Sequence, residues 1–341
     1  MALTERQRAV LSALIDRYIE SAEPVSSRML ARTTTLNVSS ATVRNTMSEL
    51  EDLGYLDQPH TSAGRIPTDR AYRLYVEELV HLKDVATATQ AQIRETIDIA
   101  TSVEDVLDRA SQVLSLICEQ LGIALSPHFD DGIFNALELI RLAEHHLLVV
   151  LTLKSGLVRT ISMELRLDLP PSILAQTSRL LNERLHGLTL REIRHSINDR
   201  LRDKVRPDFP LLVQIVQNAD HVFQMEHEVR IFVGDPTRLI NKPEFMDRDH
   251  IADLFCLMNR RHQLAGLLNT TPPEMNDWHI SIGTEHQTEA MSNYSVVSSA
   301  YRIGSTYGTV GIIGPKRMPY ARLIPMVQFT ASIIDEMLAT Y

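Results

Sequence analysis

Apolar residues recur at helical spacing from the beginning of the chain. Val10, Leu14 and Tyr18, with Leu11, Ile15 and Ile19, fall at i, i+4 and i+8, the stripe of a helix ending near Ser21. Thr4-Glu-Arg-Gln7 ahead of it has capping-box spacing, and Glu23-Pro24 breaks it. Ser26 or Ser27 then caps a short second helix with Met29, Leu30 and Leu36 as its apolar residues. After a tight turn at Leu36-Asn37-Val38, Ser39 or Ser40 caps a third helix whose Val43, Met47 and Leu50 face inward. Thr42, Asn45 and Ser48 therefore point outward, with Arg44 on the flank, and Gly54 ends the helix. Tyr55-Leu56 starts a strand, residues 58–67 form a turn-rich loop, and Thr68 or Asp69 caps a helix carrying Tyr72, Tyr75, Val76 and Leu79.

Farther along, Val106, Leu107, Ala110, Val113, Leu114 and Ile117 fit a buried helix over 103–121. Strands follow at 137–140, 146–153 and 157–163, the last two joined by a Lys154-Ser155-Gly156 turn. Residues 171–229 read as mostly helical, with leucine-rich faces. A strand at 229–233, a helix at 249–268, strands at 278–282, 294–301 and 308–313, and a closing helix at 320–338 complete the chain. This order predicts an α+β fold with an antiparallel sheet behind the N-terminal helices.

Two short helices joined by a tight turn, the second with an exposed Ser/Thr/Arg/Asn face, have the logic of a helix-turn-helix. Arg44 can bind guanine or phosphate, Asn45 can bind adenine with two bonds, and Ser40 and Thr42 can hold phosphates beside the helix N-terminus. The strand pair expected next, with Arg65 near a glycine turn, matches a wing from which Arg65 and His60 could reach the minor groove or flanking phosphates. The bland alternative is a three-helix bundle with a polar outer face. Residues expected at DNA are Ser26, Arg28, Ser39, Ser40, Thr42, Arg44, Asn45, Ser48, His60, Thr61, Ser62 and Arg65.

Charge restricts how such a head can work. The chain carries a net charge of −9, so a bulk positive field for phosphate is missing. The first 75 residues hold nine basic and nine acidic side chains, and the rest of the chain carries the whole acidic excess. Within 24–48 there are three arginines and no acid. Binding must therefore come from a few placed side chains.

Ser26-Ser27-Arg28, the 39–45 segment SSATVRN, Leu53-Gly54-Tyr55-Leu56 and the 58–67 segment QPHTSAGRIP together resemble the HrcA heat-inducible transcription repressors. A distant block agrees, Ile282-Gly283-Thr284-Glu285 with the 311–320 segment GIIGPKRMPY. Departures are Thr33-Thr34-Thr35, Asn37 and His286, where relatives carry a more charged helix end, a glycine and an asparagine. The resemblance implies a winged helix-turn-helix (1–85), a linker (86–102), a GAF-like α+β domain (103–167 and 230–341) and an inserted helical dimerisation domain (168–229). It further implies a homodimeric repressor of chaperone operons that binds double-stranded DNA at an inverted-repeat operator, with activity supported by the GroEL chaperonin. A dimer is also expected physically, because one winged helix contacts few base pairs.

Other chemistry finds little support. His221 and His227 lie six apart, not the four a helical metal pair needs. Asp130-Asp131-Gly132 and Gly234-Asp235-Pro236 are turn chemistry, Asp247-Arg248-Asp249 starts a helix, and residues 311–314 lack phosphate-loop spacing. Lys316-Arg317 reads as a solvated turn with a packing role more readily than as an anion site. No metal, cofactor or catalysis is expected. Cys118 and Cys256 stand alone and read as buried thiols in a reducing cytoplasm. No signal sequence or membrane helix is expected. Two other classes remain: a ligand-sensing regulator with the same head, and an enzyme or scaffold whose N-terminal bundle only mediates assembly.

Overall fold

A computed structural model describes the chain except residues 1–2, 34–37, 61–62, 128–131, 144, 157, 165–168, 205–208, 224–229, 246–251, 253–255, 257, 259–260, 269–277, 287–290, 305 and 340–341. Thr61, Ser62, Asp130, Asp131, His227, Asp247 to Asp249 and most of the turn at 36–38 lie outside the described residues. The chain divides into two compact units, Met1–Leu125 with Ile231–Ala300 and Thr309–Ile334, and Ser126–Arg230 with Tyr301–Gly308 and Asp335–Tyr341.

The first unit opens with the helices the apolar stripes demand. Helix α1 (Glu5–Ser21) begins with the reciprocal Thr4/Gln7 capping box and buries Val10, Leu11, Leu14 and Ile15. Helix α2 (Ser27–Thr33) is capped by Ser26, whose hydroxyl accepts from the Met29 amide at 3.2 Å. Helix α3 (Ser40–Asp52) buries Val43, Thr46, Met47 and Leu50. Strands β1 (Leu56–Asp57) and β2 (Ile66–Pro67) pair antiparallel as a short wing. Helix α4 (Asp69–Leu74) runs on as a π-helical turn at Tyr75–Leu79. Residues 86–102, expected as a linker, are largely helix α5 (Thr87–Asp98). Its Ile93 and Ile97 bury at i, i+4, a stripe obscured by the surrounding Thr, Gln and Ala.

Helix α6 (Val103–Cys118) carries the broad apolar face read from the sequence. It leads into β3 (Leu121–Leu125), a strand the sequence reading lacked, every residue of which is buried. Strand β3 belongs to the five-stranded sheet of this unit, whose order is β7-β3-β10-β9-β8, with β7 at Ile231–Val233, β8 at Trp278–Ile282, β9 at Tyr294–Ile303 and β10 at Thr306–Pro315. The β10–β3, β3–β7 and β8–β9 ladders are antiparallel. Short helix α11 (Thr237–Ile240), α12 (Arg261–Leu268) and most of the long α13 (Tyr320–Leu338) are also among the described residues of this unit.

Among the described residues the second unit holds a three-stranded antiparallel sheet, β4 (Phe134–Ala143), β5 (His146–Leu153) and β6 (Val158–Glu164), with four helices. These are α7 (Pro171–Leu185), α8 (Leu190–Leu201), α9 (Pro210–Gln217) and α10 (Ala219–Phe223). Leu147, Val149, Leu151 and Leu153 alternate inward along β5 and share one core with Leu181, Leu185, Ile193, Ile197 and Phe223. The Asn182 side chain fixes α7 to β4, accepting from the Leu137 amide at 2.7 Å and donating to the Leu137 carbonyl at 3.2 Å. The three strands expected in the same domain as the later strands thus cluster with the inserted helices. The unit boundary falls near 126 and 230.

Candidate nucleic-acid interface

Helix α3 is held so that one face is free. Gln7 Nε2 on α1 donates to Glu49 Oε2 at 2.9 Å, and the Thr46 hydroxyl is spent on the Thr42 carbonyl at 3.1 Å. Ser39 caps the helix by accepting from the Thr42 amide at 3.1 Å, and its Oγ lies 2.9 Å from Thr42 Oγ1. Ser40, Arg44, Asn45 and Ser48 are exposed, and Thr42 is partly exposed, as the helical period required. Ser26, Arg28, Ser39 and His60 are also exposed, on α2, at the cap and in the wing loop.

The exposed N-terminal half of α3 is polar and basic, and its acids Glu49, Glu51 and Asp52 gather at the other end. A helix N-terminus with free amides and a nearby arginine favours phosphate and base edges, so this half is the end suited to DNA. Its C-terminal end is closed by protein. Arg70 donates to the Leu53 carbonyl at 2.9 Å and lies 4.5 Å over the Tyr55 ring, and Thr68 donates to the Gly54 carbonyl at 2.9 Å.

Arg65 has a partner that its place in the sequence did not announce. Its Nε and Nη2 reach Glu51 Oε2 at 2.9 and 2.7 Å, and its backbone amide and carbonyl both pair with Val25 at 2.9 Å. A Cβ on Gly64 would stand 2.5 Å from the Val25 carbonyl oxygen, so only glycine allows this approach. The wing base is therefore tied to the α1–α2 connection and to α3. The Arg65 guanidinium, expected at DNA, is turned to Glu51.

Family models match both parts of the chain. The model described as "Winged helix-turn-helix transcription repressor, HrcA DNA-binding" matches residues 2–79, and "HrcA protein C terminal domain" matches residues 104–324. The chain belongs to the HrcA family of heat-inducible transcription repressors. It is 38% identical to the heat-inducible transcription repressor HrcA of Chlorobium phaeobacteroides (strain BS1), over 99% of each chain. It is 36% identical to that of Syntrophobacter fumaroxidans, over 98% of this chain and 97% of the other. A crystal structure titled as a hypothetical protein matches with a TM-score of 0.59 at 25% identity, covering 99% of both chains. The HrcA family is one of transcription regulators, and the winged helix is its DNA-binding domain.

The distant sequence block that pointed to HrcA is also accounted for. Ile282 to Glu285 and Lys316-Arg317 lie against the winged helix. Lys316 Nζ is 2.6 Å from Asp69 Oδ1, and the Thr284 amide and hydroxyl donate to Asp69 Oδ2 at 2.9 and 3.0 Å. Arg73 pairs with Glu285 and donates to the Ile280 carbonyl at 2.8 Å. Arg317 pairs with Glu244 at 2.6 Å and donates to the Ile19 carbonyl at the end of α1. Burial would raise the Asp69 carboxyl, but the Lys316 and Thr284 bonds outweigh it and hold the group below its usual range. Glu285 is lowered in the same way, burial being outweighed by Arg73 and the Ile282 amide. Lys316-Arg317 thus has the packing role expected of it, though not as a solvated turn: this HrcA-family chain spends both cations on its own carboxylates.

Among the described residues no cluster of three or more His, Cys, Asp or Glu could hold a metal, and no helix is long and apolar enough to cross a membrane. Cys118 is buried, and burial pushes its thiol up to about 12, which makes it unreactive. Cys256, expected to be buried, is exposed, which an isolated cysteine in the sequence cannot reveal.

Proposed function

We propose that this chain is a cytoplasmic homodimer that binds an inverted-repeat operator ahead of chaperone genes, represses them, and depends on the GroEL chaperonin for full activity. The observation that carries the DNA reading is the exposed face of α3, where Ser40, Arg44 and Asn45 stand in the capped N-terminal half and Ser48 lies one turn farther on. Arg44 and Asn45 are the base readers; Ser26, Arg28, Ser39, Thr42 and His60, with Thr61 and Ser62 of the wing loop, are the backbone contacts. Arg65 serves as the brace between wing and α3.

The dimer is supported by the outer face of the second unit's sheet. Ile140, Leu142 and Val158 are exposed there, and the cross-strand neighbours Leu148 and Val150 are partly so. Chains in which such an apolar face lies open commonly cover it with a partner. Two copies would then present two heads to two half-sites, the usual geometry for reading a palindrome.

The test is a gel-shift titration of the inverted-repeat chaperone operator against a scrambled duplex, with and without chaperonin, alongside gel filtration. The reading expects at least about a 1,000-fold preference for operator, elution as a dimer, and tighter operator binding with chaperonin. Equal binding to both duplexes, or a monomer at micromolar concentration, would overturn it.

A further inference from the structure

We propose that the Ile282–Glu285 turn and the Lys316-Arg317 pair form a socket that sets the orientation of the DNA-binding head, with Asp69 and Arg73 of α4 as its positioning residues. This rests on the dimeric operator-binding reading above. The socket meets the head at α4 and at the end of α1, through the Asp69 and Arg73 contacts and the Arg317 bond to the Ile19 carbonyl. Tyr72 and Tyr320 pack between these polar contacts, ring centroids 6.2 Å apart, both fully buried. The Lys83 amide adds a bond to the Ala321 carbonyl at 2.9 Å just beyond α4.

The turn is shaped for its carboxylate. Gly283 has φ +52°, and a Cβ on it would stand 2.3 Å from Asp69 Oδ2, so the residue is glycine both for its conformation and for the approach. The Glu285 carboxylate accepts from the Ile282 amide at 2.8 Å while it binds Arg73, which fixes the turn and the helix through one group.

Helix α4 is in turn joined to the reading helix. Thr68, its N-cap, and Arg70, in its first turn, hold the Gly54, Tyr55 and Leu53 carbonyls at the end of α3, and β2 of the wing runs directly into α4. A displacement of α4 on the socket therefore moves α3 and the wing together. In this docked arrangement the α3 face carrying Ser40, Arg44, Asn45 and Ser48 is exposed. The socket's role is then to fix the aim of each head, which a dimer needs in order to meet two half-sites at one spacing.

The experiment uses the full-length protein, Lys316→Glu and Glu285→Arg, and the exchanged pair Arg73→Glu/Glu285→Arg. Each is titrated against a duplex with one half-site, the native inverted repeat, and repeats with the spacing changed by five base pairs. Amide exchange at Thr284 and Lys83 is followed in the free protein. Wild type should prefer the native spacing strongly. The single variants should bind one half-site as wild type does, lose roughly tenfold on the native repeat, discriminate spacing poorly, and exchange faster at both amides. The exchanged pair should recover part of the discrimination. Spacing discrimination kept at the wild-type level, or half-site binding lost in step with operator binding, would overturn the orienting role. Wild-type exchange rates in both single variants would overturn docking by these charges, whatever the DNA result. A wild type indifferent to the operator would sink the operator reading itself, and the orienting role with it.

Discussion

Replacing Arg65 by alanine separates two roles for the wing arginine. The Arg65 and Glu51 side chains retain 20% and 31% of their exposure, so the pair lies between a surface ion pair and a buried one. Surface pairs contribute about 0–1 kcal/mol, and breaking a buried pair costs about 3–5 kcal/mol. With a third of Glu51 still in water, loss of Arg65 should cost about 1–2 kcal/mol of folding stability. Glu51→Ala should cost a similar amount, and the double variant little more than either single, leaving a coupling near 1 kcal/mol. Urea unfolding followed by circular dichroism measures the cycle. The same variants are then titrated with operator DNA over a range of salt. An arginine that neutralises a phosphate carries a slope of about 0.9 in log K against log salt, so a brace predicts the wild-type slope for Arg65→Ala, with affinity falling through a loosened wing. A variant as stable as wild type whose salt slope drops by about one would refute the brace and return Arg65 to the DNA.

Other consequences are open to direct measurement. Ser39→Ala removes the α3 N-cap and should cost about 1 kcal/mol in thermal unfolding, with Ser39→Asp recovering most of it; a neutral alanine would mean that the cap contributes nothing. Gly283→Ala places a methyl against Asp69 at a left-handed φ and should lower the melting temperature of the full-length chain and speed exchange at the Thr284 amide; an unchanged pair of readings would mean that the turn yields easily. The docked head should weaken steadily toward acid. His279 and His286 are lowered by burial and lie among Arg73, Glu285, Asp69 and each other, so their contribution is present above their usual value near 6.5 and is lost as pH falls through the lowered ones. Asp69 and Glu285 are also lowered, so theirs is complete above the usual carboxylate range near 4 and is lost below it; a stability maximum near pH 5 would contradict this. Ile140→Lys with Leu142→Lys should convert the dimer to a monomer in sedimentation if the outer face of β4 to β6 is the subunit interface, and an intact dimer would place the interface elsewhere.

The N-terminal elements could be read almost residue by residue, because each has a local signature: a capping box at Thr4, a proline after Glu23, a hydroxyl cap at Ser39 and a glycine at 54. The closing helix at 320–338 was equally plain from its apolar period. What escaped had no local signature. Strand β3 is buried on both faces and runs on from an apolar helix, so it shows no alternation to separate it from α6. Helix α5 hides two isoleucines among threonines, glutamines and alanines. Alternation located β4, β5 and β6 but cannot say which sheet they join, and that choice moved the unit boundary. In the site, exposure of Arg44, Asn45 and Ser48 followed from period alone. The engagement of Arg65 by Glu51, fourteen residues away, and of Asp69 by Lys316, 247 residues away, follows only from the fold.

We propose that α3 reads DNA through its exposed N-terminal half. The most direct measurement is competition of specific operator against non-specific DNA for wild type, Arg44→Ala and Asn45→Ala. Each variant should lose about 1–3 kcal/mol of discrimination, with its non-specific binding and its folding little changed. Wild-type discrimination in both variants would move the reading surface away from this helix.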